Sequence, residues 1–100
     1  MDVKEKVNGI QNELVALRRH FHEYPERSWK EYETQKYIME YLTKLGIPCV
    51  KTCKSGVIAT IKGTHASSKI IGIRADIDAL PIKELGTEAY KSQNEGTMHA

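Results

Sequence analysis

The sequence predicts an α/β fold, and three observations carry that prediction. Apolar residues recur at helical spacing through two early segments. The period then becomes extended after a Gly46-Ile47-Pro48 stop. Finally, Ile70, Ile71 and Ile73 around Gly72 have the composition of a strand buried on both faces. At 100 residues, with 40% hydrophobic and 28% charged side chains, the chain has the size and composition of a single globular unit. No repeat, low-complexity tract or linker divides residues 1–100.

In the first segment Val7, Ile10, Leu14, Leu17 and Phe21 alternate steps of three and four, which makes one apolar helical stripe. Pro25 has no amide donor and biases Tyr24 away from helical geometry, so this helix closes just before the Tyr24-Pro25 step. Ser28-Trp29-Lys30-Glu31 fits a capping box and predicts a second helix with Ile38, Tyr41, Leu42 and Leu45 on its buried stripe. Gly46 supplies a left-handed cap residue and Pro48 ends the helix. Extended runs follow at about Cys49 to Cys53, Val57 to Lys62 and Ile70 to Ala75, the first two joined as a hairpin across Ser55-Gly56. Thr64 to Lys69 is a polar surface loop. Glu84 to Thr97 is a second, long for a compact unit and therefore expected to serve a function or meet a partner.

Composition excludes several classes. A formal charge of +2, with basic and acidic residues interleaved, gives no footprint for nucleic acid. The opening Met1-Asp2-Val3-Lys4-Glu5-Lys6 is charged where a signal peptide needs an apolar core, and no apolar run approaches the ~20 residues of a membrane span. A cytoplasmic protein is expected. Cys49 and Cys53, if extended, lie about 13 Å apart at roughly 3.3 Å per residue, beyond the roughly 7 Å that a disulfide tolerates. They are expected to be two reduced thiols on one strand face.

Asp76 and Asp78 lie two apart at the end of the isoleucine-rich run, so on a strand both carboxylates share a face and Ile77 turns inward. Polar groups at a strand's carboxyl end suit a ligand site of an open α/β sheet. The alternative is that Asp78 simply starts the Ala79-Leu80-Pro81 turn. His20 and His22 resemble a chelating pair on paper, but residues two apart on a helix diverge by about 200° and cannot share an ion. They read as a surface histidine and a helix-end histidine, and Arg18 and Arg19 as a solvated face with ion pairs. The aromatic residues Tyr24, Trp29, Tyr32, Tyr37 and Tyr41 read as packing and surface anchors, and no phosphate loop, nucleophile elbow or HExxH motif occurs.

Three runs in order, Arg18-Arg19-His20-Phe21-His22-Glu23-Tyr24-Pro25-Glu26, Arg74-Ala-Asp-Ile-Asp-Ala-Leu-Pro-Ile82 and Gly96-Thr97-Met98-His99-Ala100, resemble the metal-dependent amidohydrolases of the aminoacylase and carboxypeptidase-G clan. The likeness is to the branch of hippurate hydrolase, N-acetyl-diaminopimelate deacetylase and the plant auxin-conjugate hydrolases. It covers about Leu14 to Ala100. It implies the N-terminal portion of a three-layer α/β/α catalytic domain with a mixed sheet, cut before the metal-ligand motif, since in that branch a cysteine, a glycine, a histidine and an aspartate follow the residues matching Met98-His99-Ala100. It further implies a parent enzyme that cleaves the amide bond of small N-acyl amino acids. Two divalent ions, zinc, manganese, cobalt or nickel, would hold a hydroxide there, and a glutamate outside these residues would act as base.

Much of the clan has His-x-Asp where this chain has Asp76-Ile77-Asp78. Asp78 therefore carries over as the catalytic-site aspartate that orients a metal ligand, and Asp76 as a substrate-contacting or ligand-orienting candidate. No residue of this chain carries over as a metal ligand, His99 included, and no ion is expected in these 100 residues alone. Alone, the chain is expected to be inactive and, with an incompletely covered apolar strand, to self-associate into a homo-oligomer. The contrasting reading is a noncatalytic α/β module that binds a protein partner.

Overall fold

The computed structural model describes residues 1–100 as three helices and one hairpin, α1 (Val3–Gly9), α2 (Gln11–Glu23), α3 (Tyr32–Lys44), β1 (Cys49–Thr52) and β2 (Gly56–Ala59). The first predicted helix is thus two. Asp2 caps α1 by accepting from the Lys4 amide at 3.0 Å. The chain then leaves helical geometry at Ile10 (φ −114°, ψ 19°), directly after Gly9, whose backbone freedom makes it a poor helix interior.

Both breaks after the long helices fall where the sequence places them. α2 ends at Glu23, and Pro25 is among the most completely buried side chains of the molecule. α3 ends in a Schellman motif, in which Gly46 (φ 74°) donates to the Thr43 carbonyl and Ile47 to the Leu42 carbonyl, each at 3.0 Å. The start of α3 differs from expectation. Ser28 makes no cap. It lies in a tight turn closed by the Lys30 amide on the Arg27 carbonyl, with Trp29 at φ 66°. The amides of Glu33 and Thr34 are instead taken by the carboxylate of Glu26, from before that turn, at 3.3 and 2.6 Å.

The hairpin is antiparallel with Cys49 opposite Ala59 and Thr52 opposite Gly56. Its turn is held to α3, since the Gln35 side-chain amide donates to the Lys54 and Gly56 carbonyls and the Ser55 hydroxyl donates to Glu31 at 2.9 Å. Cys53 lies in that turn at φ 47° and not on the strand face shared with Cys49; both thiols are free. The third expected strand, Ile70 to Ala75, forms no ladder, and Ile70, Ile71 and Ile73 are 95%, 88% and 95% exposed. Two-sided burial needs flanking strands and covering helices, and β1 and β2 pair only with each other.

The helical stripes are likewise only part-covered. Leu17, Phe21, Ile38, Tyr41 and Leu42 are half-buried, while Val7, Ile10, Leu14 and Leu45 are exposed. The fully buried residues of the long helices are polar, His22 on α2 and Thr34 and Gln35 on α3. No helix is long and apolar enough to cross a membrane.

Candidate functional site

The best-ordered constellation gathers around the turn that follows α2. Three carbonyls of residues 23–26 accept from distant segments: Glu23 from the Gln93 amide at 2.7 Å, Pro25 from the Asn94 side chain at 3.1 Å, and Glu26 from the Ala79 amide at 2.7 Å. Arg27 adds two donors, to Thr97 Oγ1 and the Gly96 carbonyl, each at 3.0 Å. The first motif therefore does more than join two helices. The same turn also holds Ala79 and the Gln93–Thr97 loop.

These bonds bring the second and third motifs together. Leu80 and Met98 exchange both backbone hydrogen bonds, at 2.9 and 3.0 Å, as an isolated antiparallel bridge. Asp78, two positions before Leu80, and His99, the residue after Met98, become charge neighbours. Burial pushes the His99 imidazole below its ordinary pKa, the nearby His22 acts the same way, and the Asp78 carboxylate pulls it back up. Asp76 stays at the surface and pairs with Arg74 at 2.9 Å. Its side chain also lines an open cavity of about 430 Å³ together with Arg18, His22, Ile77 and His99. Asp78 is exposed and Ile77 half-buried.

Two residues here escaped the sequence reading. His22 sits in the last turn of α2, as expected of a helix-end histidine, but it has a distant partner. It is buried, and its Nε2 lies 2.8 Å from Glu84 Oε1, 62 positions away in the chain. Glu84 accepts from the Ser92 amide through its other oxygen at 2.6 Å. The His22 hydrogen bond, then the Ser92 amide, hold the Glu84 carboxyl below its ordinary pKa against the opposing effect of burial, with the charges of His22 and Lys91 adding to them. An ionised carboxylate only accepts, so Nε2 of His22 carries the proton and donates. The signal available beforehand was only a polar loop too long to be idle, and nothing in it singles Glu84 out from Glu88 and Glu95. His20 takes a separate partner, stacking on Tyr37 with ring centroids 3.7 Å apart, and Arg19 lies over the Tyr90 ring at 4.6 Å instead of in an ion pair.

No group of three or more His, Cys, Asp or Glu side chains is arranged to hold a metal ion. Asp76, Asp78 and His99 border one region without forming a coordination shell, so these residues do not by themselves fit a divalent ion.

No protein-family model matches the chain. Curated relatives do: a hydrolase of Staphylococcus epidermidis is 49% identical over 89 residues, 88% of this chain and 23% of that protein. An N-acetyldiaminopimelate deacetylase of Listeria monocytogenes is 44% identical over 91 residues, 89% of this chain and 24% of that protein. Among solved structures, the YXEP protein of Bacillus subtilis, a dinuclear metal binding peptidase from the M20 family, superposes with a TM-score of 0.84 at 42% identity, over 92% of this chain and 26% of that one. A putative aminohydrolase from methicillin-resistant Staphylococcus aureus superposes with a TM-score of 0.89 at 36% identity, over 96% of this chain and 26% of that one. The chain thus spans about a quarter of the length of the relatives it matches. By sequence and by fold together, the chain is similar to a segment of M20-family hydrolases.

Proposed function

We propose that this chain contributes the Asp78 region of a metal-dependent amidohydrolase that cleaves the amide bond of N-acyl amino acids or related small conjugates. The observation that carries this reading is the 44% identity with a deacetylase of N-acetyldiaminopimelate across nearly the whole chain. The dinuclear metal binding of the Bacillus subtilis neighbour supports two divalent ions in the complete enzyme. In this reading the metal ligands come from outside these residues, and the 100-residue chain alone is inactive. Within it, Asp78 orients a neighbouring polar group and Asp76 lines the adjoining cavity. The partner is a small molecule and the compartment the cytoplasm.

The test uses the longest polypeptide in which this sequence occurs, assayed for amino acid release from N-acetyl and N-benzoyl amino acids before and after chelation, and again with zinc, manganese, cobalt or nickel restored. Chelation abolishes release and a divalent ion restores it. Asp78→Asn lowers activity or metal content about 10- to 100-fold, Asp76→Asn less. Full activity and metal content in Asp78→Asn would make that residue a turn former only. If no N-acyl amino acid is cleaved under any metal, the partner-binding module becomes the better reading.

A further inference from the structure

His22 and Glu84 are each only 7% exposed, yet a buried polar pair of this kind contributes little net stability, because desolvating the two groups offsets their attraction. The best-attested use of a buried polar pair is to fix register. What this pair fixes can be followed bond by bond. His22 Nε2 donates to Glu84, and Glu84 accepts from the Ser92 amide at 2.6 Å. The Ser92 hydroxyl lies 2.7 Å from the Thr97 carbonyl. Thr97 is 2% exposed and immediately precedes Met98, whose two backbone bonds to Leu80 set His99 beside Asp78.

We propose that His22 is a positioning residue for the Asp78 region, acting through Glu84 and Ser92 to hold the Gly96–His99 segment in register against Asp78–Leu80. Nothing else on α2 reaches the loop side chain that does this. Without His22, Glu84 keeps one buried partner for its two oxygens and is relieved by swinging toward water. Arg27 still grips Thr97 and Gly96, so the effect is a selective loosening of the Leu80–Met98 bridge and not a collapse. The geometry also specifies which replacement restores function, because the side-chain amide of glutamine can place a donor near the position of Nε2 and leucine cannot.

Amide hydrogen exchange by NMR on the 100-residue chain tests this, comparing wild type, His22→Leu, His22→Gln and Glu84→Leu. In His22→Leu the Leu80 and Met98 amides exchange about 10-fold faster or more, while amides inside α3 and across the hairpin keep their protection. His22→Gln stays within about 3-fold of wild type, a rescue that a merely space-filling role does not produce. Unchanged Leu80 and Met98 protection in His22→Leu overturns the proposal, as does a loss in His22→Gln equal to that in His22→Leu. Should His22→Leu release the α3 amides as well, Glu84→Leu decides, since at similar volume it removes both acceptors and can bond neither His22 nor the Ser92 amide. Selective release of Leu80 and Met98 there supports the relay, and none overturns it. The bearing on chemistry rests on the reading of Asp78 given above, but the exchange measurement needs no substrate or metal, so either idea can fail while the other stands.

Discussion

Two regions of this chain oppose each other in almost every respect. The knot around the turn after α2, built from residues 22–34, 79–84 and 92–98, has few apolar side chains and many buried polar ones, with no fully buried side-chain nitrogen or oxygen left unpartnered. The stretch from Ile61 to Arg74 has the isoleucines that a core is made of, and every residue of it is exposed. Hydrophobic pattern therefore marks where burial would be favourable, whereas order here follows hydrogen bonds between residues far apart in sequence. The knot is where the Asp78 region is held, so that region is positioned by polar pairing and not by a surrounding apolar core.

The comparison is broken most severely at Glu26. Its carboxylate accepts from the Thr34 amide and hydroxyl, at 2.6 and 2.7 Å, and from the Glu33 amide at 3.3 Å, so it alone caps α3. Glu26→Ala is expected to cost about 2–3 kcal/mol, as hydrogen bonds to a charged acceptor do, in urea unfolding followed by circular dichroism. Ser28→Ala removes no cap and should change stability by less than about 0.5 kcal/mol. Equal losses in the two variants would return the capping role to Ser28.

A smaller and more local effect comes from acid. The Glu84 carboxyl titrates lower in the folded chain than in the unfolded one, where a glutamate has a pKa of about 4.3. A depressed carboxylate contributes stability that is fully present above the unfolded value and lost as pH falls through the folded one. Below about pH 4 the Ser92 amide resonance should therefore move and the Leu80–Met98 bridge loosen, while resonances of residues 61–74 report no linked step. A Ser92 shift complete well above the ordinary glutamate range would contradict the sign.

What was legible in the sequence follows the range of the interactions. Pro25 and Gly46 act on their own backbone and immediate neighbours, so both helix ends could be read directly, and so could the hairpin between two β-rich runs. The α3 cap could not, because Glu26 reaches across a turn and Ser28 offers a more local candidate that the backbone at Trp29 leaves unused. The pairing of His22 with Glu84 spans 62 positions, and no periodicity encodes it. The two aspartates were found, but their different surroundings were not. Asp76 is engaged by Arg74, two positions before it, whereas Asp78 is set near His99 by the Leu80–Met98 bridge.

The smallest effect on folding is expected where the sequence looked most core-like. Ile71 and Ile73 touch little in the monomer, so Ile71→Lys and Ile73→Lys together should alter its unfolding free energy by no more than about 0.5 kcal/mol. Their effect on association should be far larger. Unpaired backbone amides and carbonyls beside exposed isoleucines form a sticky edge, and lysine on such an edge opposes pairing by charge and by its need for water. Sedimentation velocity over a range of concentrations should show the wild-type chain self-associating and the double lysine variant moving toward monomer, with matching circular dichroism. If both sediment as monomers, the exposed isoleucines do not drive association and the expected homo-oligomer fails. If the double variant also unfolds at lower urea, residues 70–74 contribute to the monomer's stability and the contrast between the two regions is overdrawn.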